Sequence, residues 1–359
     1  MASRMKIFDH FCKPLAEIAV TTTNRNWVLN GYGRAEFSIG YSPKVLQTSQ
    51  TLREDWFQFG NLVHIIHNPT TDASGAKRGN LPTWTGVILP PRKWDLGVCH
   101  FTAYSAEAIL MFRAMKYKDI TGTPKAVMKQ IIDMANSRSN NIKFLFGTQD
   151  DLQLTFPDRL TSNAYDHIQK LVKASGMDWD VSGQVNSKGT LDLYVNLYKH
   201  KGLEIETILQ GGDGGNVELV SPLFTEQGTP YNQIFGYSQA QTENSRIGPI
   251  EAINQEAYDD YGALQLNQVL VGKKDKSGVE NSVRTLAAAR GRPVRLIQRT
   301  ALDSSDLFSM LDVGNTLKIK DRSAGFNADG YYGFEADARI LSMDYNDLSN
   351  KVPLNVEVI

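Results

Sequence analysis

The sequence predicts a β-rich α+β protein in which two similar β-barrel domains flank an α+β insert and a mixed connecting region. The main observation is a pattern that occurs twice. Gly60-Asn61-Leu62-Val63-His64-Ile65-Ile66, a Gly-rich loop, Trp84-Thr85-Gly86-Val87-Ile88-Leu89, a polar turn and Val98-Cys99-His100-Phe101-Thr102-Ala103-Tyr104 form the first copy. Gly314-Asn315-Thr316-Leu317-Lys318-Ile319-Lys320, a Gly-rich loop, Ala338-Arg339-Ile340-Leu341-Ser342-Met343, a polar turn and Val352-Pro353-Leu354-Asn355-Val356-Glu357-Val358 form the second. A further observation is the alternation of Ala35, Phe37 and Ile39 with Arg34, Glu36 and Ser38, the period of a half-buried strand. Helical spacing, by contrast, is concentrated in the middle of the chain and in one later segment.

The elements follow in order. Residues 1–112 read mainly as strands, with the run from Thr70 to Pro82 as a surface loop or hairpin end. Thr123-Pro124 is an N-cap followed by proline at the first helical position, and Val127, Ile131, Met134 and Ala135 then recur at helical spacing. A second helix starts near Ser162 or Asn163, buries Ala164, Ile168, Leu171 and Val172, and stops at Gly176. A hairpin follows, with Trp179 and Val181 on one arm and Leu191, Leu193, Val195 and Leu197 on the other. Between 203 and 275 the pattern is weak, with strand pieces at Asn216–Val220 and Gln233–Tyr237. Ser277 and Glu280 have capping-box spacing ahead of a helix that buries Val279, Val283, Leu286 and Ala287 and ends at Gly291 and Pro293. From Val294 onward the chain is β again.

Bulk composition narrows the function. A chain of 359 residues predicts two to three domains, because a single core stops growing near 250–300 residues. With 41% hydrophobic and 21% charged residues it has ordinary globular composition, and a net charge of −1 gives no electrostatic reason to grip a polyanion or an anionic membrane. No run approaches the roughly 18 apolar residues of a membrane span. The stretch Met1–Ile18 is interrupted by Arg4, Lys6, Asp9, Lys13 and Glu17, unlike the apolar core of a secretory signal. Cys12 and Cys99 are too few for a disulfide framework, so folding in a reducing cytoplasm is expected.

No motif demands chemistry, and no catalytic, cofactor-binding or metal-binding residue is assigned. The glycines at 211–215 precede a strand, not the helix that a phosphate cradle needs. His64 and His67 fall on opposite faces of a strand, and His100 brings no acidic or Cys ligand with it. The acidic pairs Asp150-Asp151 and Asp259-Asp260 read as solvated turns. Gly-x-Ser-x-Gly, His-Glu-x-x-His and Cys-x-x-Cys are absent. Arg290, Arg292, Arg295 and Arg299 cross a helix end and the next strand. Arg295 and Arg299 share a face, read as solvated, with a subunit contact or lumen wall as the alternatives. Lys273, Lys274 and Lys276 read as a loop, and Trp84 and Trp94 as flanking a turn at Pro90-Pro91.

Taken together, these segments resemble the tail-tip or baseplate hub proteins of tailed bacteriophages and related contractile injection machines. Trp84–Ile88 resembles the family's strand after the first long loop, and Ala106–Tyr117 its crossover out of the first barrel. The Thr123-Pro124 helix, the Ala164–Ser175 helix and Gly176–Val181 resemble its second domain, and Asn232–Tyr237 the strand returning to the first barrel. Tyr261-Gly262, Val283–Ala289, Pro293, Leu307 and Leu311–Asn315 resemble its terminal barrel. The resemblance implies tube-protein-like barrels and a first barrel begun by residues 1–115. It further implies an insert at 116–202, return strands at 203–245, and a connector helix with the second barrel at 246–359. It also implies a homotrimer acting as a pseudo-sixfold adaptor between a sixfold tail tube and a threefold spike or fibre, with tape-measure protein and DNA passing through its lumen. Because the chain stops soon after its last strand, wall-degrading or receptor-binding activity is expected to belong to a partner. A cell-wall hydrolase using acids of the insert and a carbohydrate-binding module are the alternative functions.

Overall fold

The computed structural model describes residues 3–20, 22–40, 54–66, 82–95, 98–139, 141–211, 215–219, 225–227, 230–238, 246–270, 276–291, 294–302, 307–326, 332–346 and 351–359. A first sheet lobe is built from β1 (Ser3–Phe8), β2 (Pro14–Val20), β3 (Thr22–Val28), β4 (Arg34–Gly40), β5 (Leu62–Ile66), β6 (Trp84–Asp95) and β7 (Val98–Ser105), with a 3-10 turn at Glu54–Phe57. Its strands lie in the order β3-β4-β7-β6-β5-β1-β2. Alternate residues point inward, so Met5, Ile7, Ala35, Phe37, Ile39, Val63, Ile65, Phe101 and Ala103 share one dry core. Pro90-Pro91 lies within β6, where the register with β7 shifts between Leu89 and Arg92, and is not the turn expected from the sequence. Proline has no N–H to give a ladder, so a bulge is where a strand accommodates it.

A 3-10 helix at Ala106–Phe112 leads into the insert: β8 (Lys118–Gly122), α1 (Pro124–Ser137), β9 (Phe144–Gln149), β10 (Phe156–Leu160), α2 (Ala164–Ser175), β11 (Asp178–Val185) and β12 (Leu191–Tyr198). The caps form as the residue types require. Thr123 accepts from the Ala126 N–H and Asn163 from the Asp166 N–H, while Gly176 ends α2 at φ +68°. Phe8, Leu62 and Val87, on the outer face of the first lobe, join Ala106, Ile109 and Leu110 in the insert's core, so the insert is packed against that lobe rather than tethered to it.

The next segment contains β13 (Glu204–Gly211), β14 (Val217–Leu219), β15 (Thr225–Gln227), β16 (Gln233–Ser238), β17 (Ile250–Ile253), α3 (Gln255–Tyr261), β18 (Gln265–Leu270) and α4 (Lys276–Arg290). It corrects the expected return to the first barrel. β13 pairs with β20 (Thr316–Phe326), and β14 and β15 pair with β19 (Val294–Leu302), because Leu209 and Val217 bury themselves in the C-terminal core. β16 lies between β17 and β18 in a small separate sheet whose Ile234 packs on Val279 and Val283 of α4. Ser277 and Glu280 both lie inside α4 instead of capping it. The second lobe is completed by α5 (Leu307–Met310), β21 (Tyr332–Tyr345) and β22 (Lys351–Val358). Among the described residues, no helix is long and apolar enough to cross a membrane.

The two lobes use the same local hydrogen bonds. Gly60 N–H donates to Ile88 O at 3.0 Å and Ile88 N–H to Asn61 O at 2.9 Å; Gly314 N–H donates to Ile340 O at 2.8 Å and Ile340 N–H to Asn315 O at 2.9 Å. The Asn61 amide reaches back to Trp56 O, and the Asn315 amide to Met310 O, five residues earlier in each case. Leu62 faces Val87 as Thr316 faces Arg339, and Ile88 faces Ala103 as Ile340 faces Val356. β4 on β7 then matches β19 on β22: Ala35, Phe37 and Ile39 oppose Ala103, Phe101 and Cys99, where Ile297, Arg299 and Ala301 oppose Val356, Leu354 and Val352. Cys99 therefore corresponds to Val352, one residue away from the alignment that sequence similarity gives for the third strand. β1 runs antiparallel to β5, whereas β13 runs parallel to β20, so the likeness stops there.

Gly202 and Gly314 meet back to back at φ +99° and +95°. A Cβ on Gly202 would lie 2.2 Å from the Gly314 carbonyl carbon, whereas one on Gly60, at φ +89°, would meet nothing within 4 Å. Gly60→Ala is expected to lose about 1–2 kcal/mol, the strain of a left-handed turn alone. Gly202→Ala should lose clearly more, because backbone cannot move aside, and urea unfolding of the two variants measures the difference.

Candidate functional site at the lobe junction

The two lobes are one sheet because β21 outruns β20, and on the edge that β20 leaves it pairs antiparallel with β3. Ser342 faces Val28, Met343 faces Trp27, Asp344 faces Asn26 and Tyr345 faces Arg25, and the Leu29 N–H extends the ladder to Leu341 O at 2.8 Å. Trp27 packs against both lobe cores. The Arg25 guanidinium is buried between rings, 5.4 Å from the Trp27 centroid and 4.9 Å from that of Tyr345. Asp178, at the start of β11, ties three segments together. One oxygen accepts from the Asn30 amide at 2.7 Å; the other accepts from the Lys201 N–H at 2.7 Å and forms an ion pair with Arg339. Arg339 also donates to Lys201 O at 3.0 Å. One buried carboxylate thus holds the end of β3, the exit from the insert and β21.

Beside this junction is a cavity of about 280 Å³, lined among others by Glu107, Asp180, Tyr198, Lys201 and Asp312. Lys201 Nζ lies 2.8 Å from Asp180. Burial alone would pull the Lys201 ammonium down, but Asp180 and Asp312 outweigh it and the net direction is up. Glu107 Oε1 accepts from the Val181 N–H at 2.9 Å, while Oε2 is buried with no partner. Burial pushes this carboxyl up to about 7, and Asp180 adds to the shift against the hydrogen bonds from Ser105 and Val181. Burial raises Asp312 as well. Two carboxyls raised by burial thus share the cavity wall with the Lys201–Asp180 ion pair.

The residues singled out in the sequence take structural roles. His64 is buried with Nδ1 2.8 Å from Thr85 Oγ1, and burial followed by Lys6 pushes it down to about 4. His100 is exposed and bonded to Ser38, and β6 separates its strand from that of His64. Among the described residues no group of His, Cys, Asp and Glu can hold a metal ion. Asp151 accepts from Thr123 Oγ1 and the Lys125 N–H at the start of α1, and Asp150 accepts from the Lys199 N–H. Asp259 is exposed on α3, bonded to Gln255. Arg299 corrects the solvated-face reading: it is 1% exposed and takes the core position that Phe37 fills in the first lobe. His67, Gly212–Gly214, Lys273, Lys274, Arg292, Pro293 and the Arg295 and Trp94 side chains lie outside the described residues.

One constellation escaped the sequence reading. His167 is wholly buried, with Nδ1 2.5 Å from Asp158 and Nε2 3.2 Å from Ser162 Oγ, the connectivity of a serine-hydrolase triad. Nε2, however, already accepts the N–H groups of Thr161 and Ser162 at 3.1 and 3.2 Å. A nitrogen so occupied cannot take a proton from Ser162. The group latches β10 to the start of α2.

No protein-family model matches the sequence, and no curated protein matches it. Solved structures do match. The prophage tail protein gp18 from Listeria monocytogenes EGD-e has a TM-score of 0.58 at 11% identity, with 99% of this chain and 94% of that chain covered. A tail protein from Neisseria meningitidis MC58 has a TM-score of 0.57 at 9% identity, covering 99% and 97%. The 43 kDa tail protein of prophage MuSo2 from Shewanella oneidensis has a TM-score of 0.55 at 12% identity, covering 99% and 98%. This β-rich chain therefore has, over its whole described length, a fold found in phage tail proteins.

Two outcomes are expected. Asp178→Ala leaves Arg339 without its buried counter-charge and should lower unfolding free energy by about 3–5 kcal/mol in chemical denaturation. For Glu107, the folded carboxyl holds its proton up to about 7, well above the ordinary carboxylate range of an unfolded chain. The folded state thus binds more protons over that interval, and stability falls as pH rises through it. Glu107→Gln keeps the acceptor for Val181 and removes the charge. Its Tm should exceed that of the wild type by a few degrees at pH 8 and converge with it near pH 5, read by calorimetry.

Proposed function

We propose that the chain is a structural hub of a phage tail tip or baseplate and not an enzyme. Three copies form a ring of six lobes, a pseudo-sixfold adaptor that meets a sixfold tail tube on one side and a threefold spike or fibre on the other. The ring's lumen passes tape-measure protein and DNA. The hub assembles in the host cytoplasm and resides in the virion tail. The observation that carries this reading is the duplicated lobe with matched register, set side by side in one continuous ladder, since a chain holding two like units turns threefold symmetry into near-sixfold.

Each lobe acts as a barrel in this reading. In the first, β2 lies on β1 and β3, which directly follows it, lies on β4, drawing the two ends of the sheet together. In the second, β13 lies on β20 and β14 on β19, joined where the Asn216 N–H donates to Gln210 O at 3.0 Å. The fold shared with tail proteins supports the tail assignment, and the use of the insert's carboxylates as caps and latches removes the strongest basis for a hydrolase.

The expected species has three times the 40.0 kDa chain mass, with ring-shaped particles in negative-stain images and roughly 2,000 Å² or more buried at each interface. Native mass spectrometry and imaging across a rising concentration series test it. A chain that remains single, or stops at two copies, throughout that series overturns the ring.

A further inference from the structure

The internal likeness of the lobes specifies how copies of this chain would touch. Within the chain, the lobes meet where Ser342–Tyr345 of β21 lies along Arg25–Val28 of β3. Each of these two edges has a counterpart in the other lobe. For β21 the counterpart is β6: Met343 faces Leu354 as Arg92 faces Phe101, so Asp344 corresponds to Lys93 and Tyr345 to Trp94. For β3 it is β15. Arg25 faces Ala35, which matches Ile297, so Asn26 and Trp27 correspond to Thr225 and Glu226, the residues facing Leu296 and Arg295.

Within the described ladders, β6 beyond Val87 has β7 as its strand neighbour, and β15 has β19. Lys93 is exposed on this stretch of β6.

We propose that the edge of β6 around Lys93 in one copy pairs antiparallel with β15 of the next copy, repeating between chains the junction that β21 and β3 make within one. The register carries over residue by residue. Asp344 opposite Asn26 becomes Lys93 opposite Thr225, and Met343 opposite Trp27 becomes Arg92 opposite Glu226. The contact is head-to-tail: each copy offers β6 on one flank and β15 on the other, so every junction in the assembly, internal or external, is the same kind of strand pair. A repeat of one rotation is what closes a ring, whereas a face-to-face contact would stop at two. This contact rests on the ring proposed above and names the backbone that forms it.

Directly opposed residues on antiparallel strands bring their Cα atoms to about 4.5–5.5 Å, within reach of a disulfide. The full-length Lys93→Cys/Thr225→Cys variant, oxidised under mild conditions, is expected to give covalently linked species that stop at three copies. Neither single variant should do so, which controls for Cys12 and Cys99. Hydrogen–deuterium exchange on the wild type provides a reading free of substitutions. Those amides of Lys93–Trp94 and Thr225–Gln227 that point away from β7 and β19 should exchange at least ten-fold more slowly in the assembled form than in dilute single chains. A wild-type trimer in which these amides exchange unchanged, or a double variant that assembles to three copies but does not cross-link, overturns this contact and leaves the ring standing. A wild-type chain that never associates removes both.

Discussion

Everything in this molecule hangs on a short ladder of main-chain hydrogen bonds between β3 and β21. Without it there would be two small sheets and an appendage; with it, the second lobe continues the first sheet and the two cores meet across Trp27. A ladder of this length would slip or fray in isolation, since strand pairing fixes register weakly where neither face is buried. Here both faces are secured. Arg25 is held between two rings on one side, and on the other Asp178 binds Asn30, Lys201 and Arg339 together.

Polar groups are buried at the seams of this protein and inside its lobes. Glu107 occupies a cavity between lobe and insert, His167 binds β10 to α2, and Arg299 replaces an aromatic ring inside the second lobe. The ring nitrogens of His167 are taken by Asp158 and by the backbone of Thr161 and Ser162, whereas Glu107 keeps one oxygen without a hydrogen bond. A catalytic base needs a lone pair left for the substrate, and the histidine with the most suggestive neighbours has none to give.

Much of the fold was legible in the sequence, for identifiable reasons. The repeated Gly-Asn turn announced itself because both residues are required locally: glycine for positive φ, asparagine for the amide that reaches back five residues. Thr123-Pro124, Asn163 and Gly176 marked helix ends because capping is a short-range interaction. The third repeated strand was misaligned by one residue because the bulge at Pro90-Pro91 has no counterpart of equal length in β21. β13 was missed because its partner is distant in sequence and parallel, and its Glu204 and Glu206 mask the alternation. Arg299 was misread because its charge suggested solvent when its position in the alternation pointed inward. The junction was unreadable: a strand edge is a row of backbone groups, which every residue supplies alike.

The insert shares its hydrophobic core with the first lobe, through Phe8, Leu62 and Val87, and meets the second through the Asp178–Arg339 ion pair, so α1 and α2 belong to one lobe of each chain. In a closed circle of three chains, α1 and α2 would therefore project from every other station, like alternate teeth on a crown. A cylinder making six like contacts would have to dock on the rim they leave clear. A three-pronged object could take its orientation from the rim they occupy, so the attachment of one appendage would by itself tell the two ends of the assembly apart.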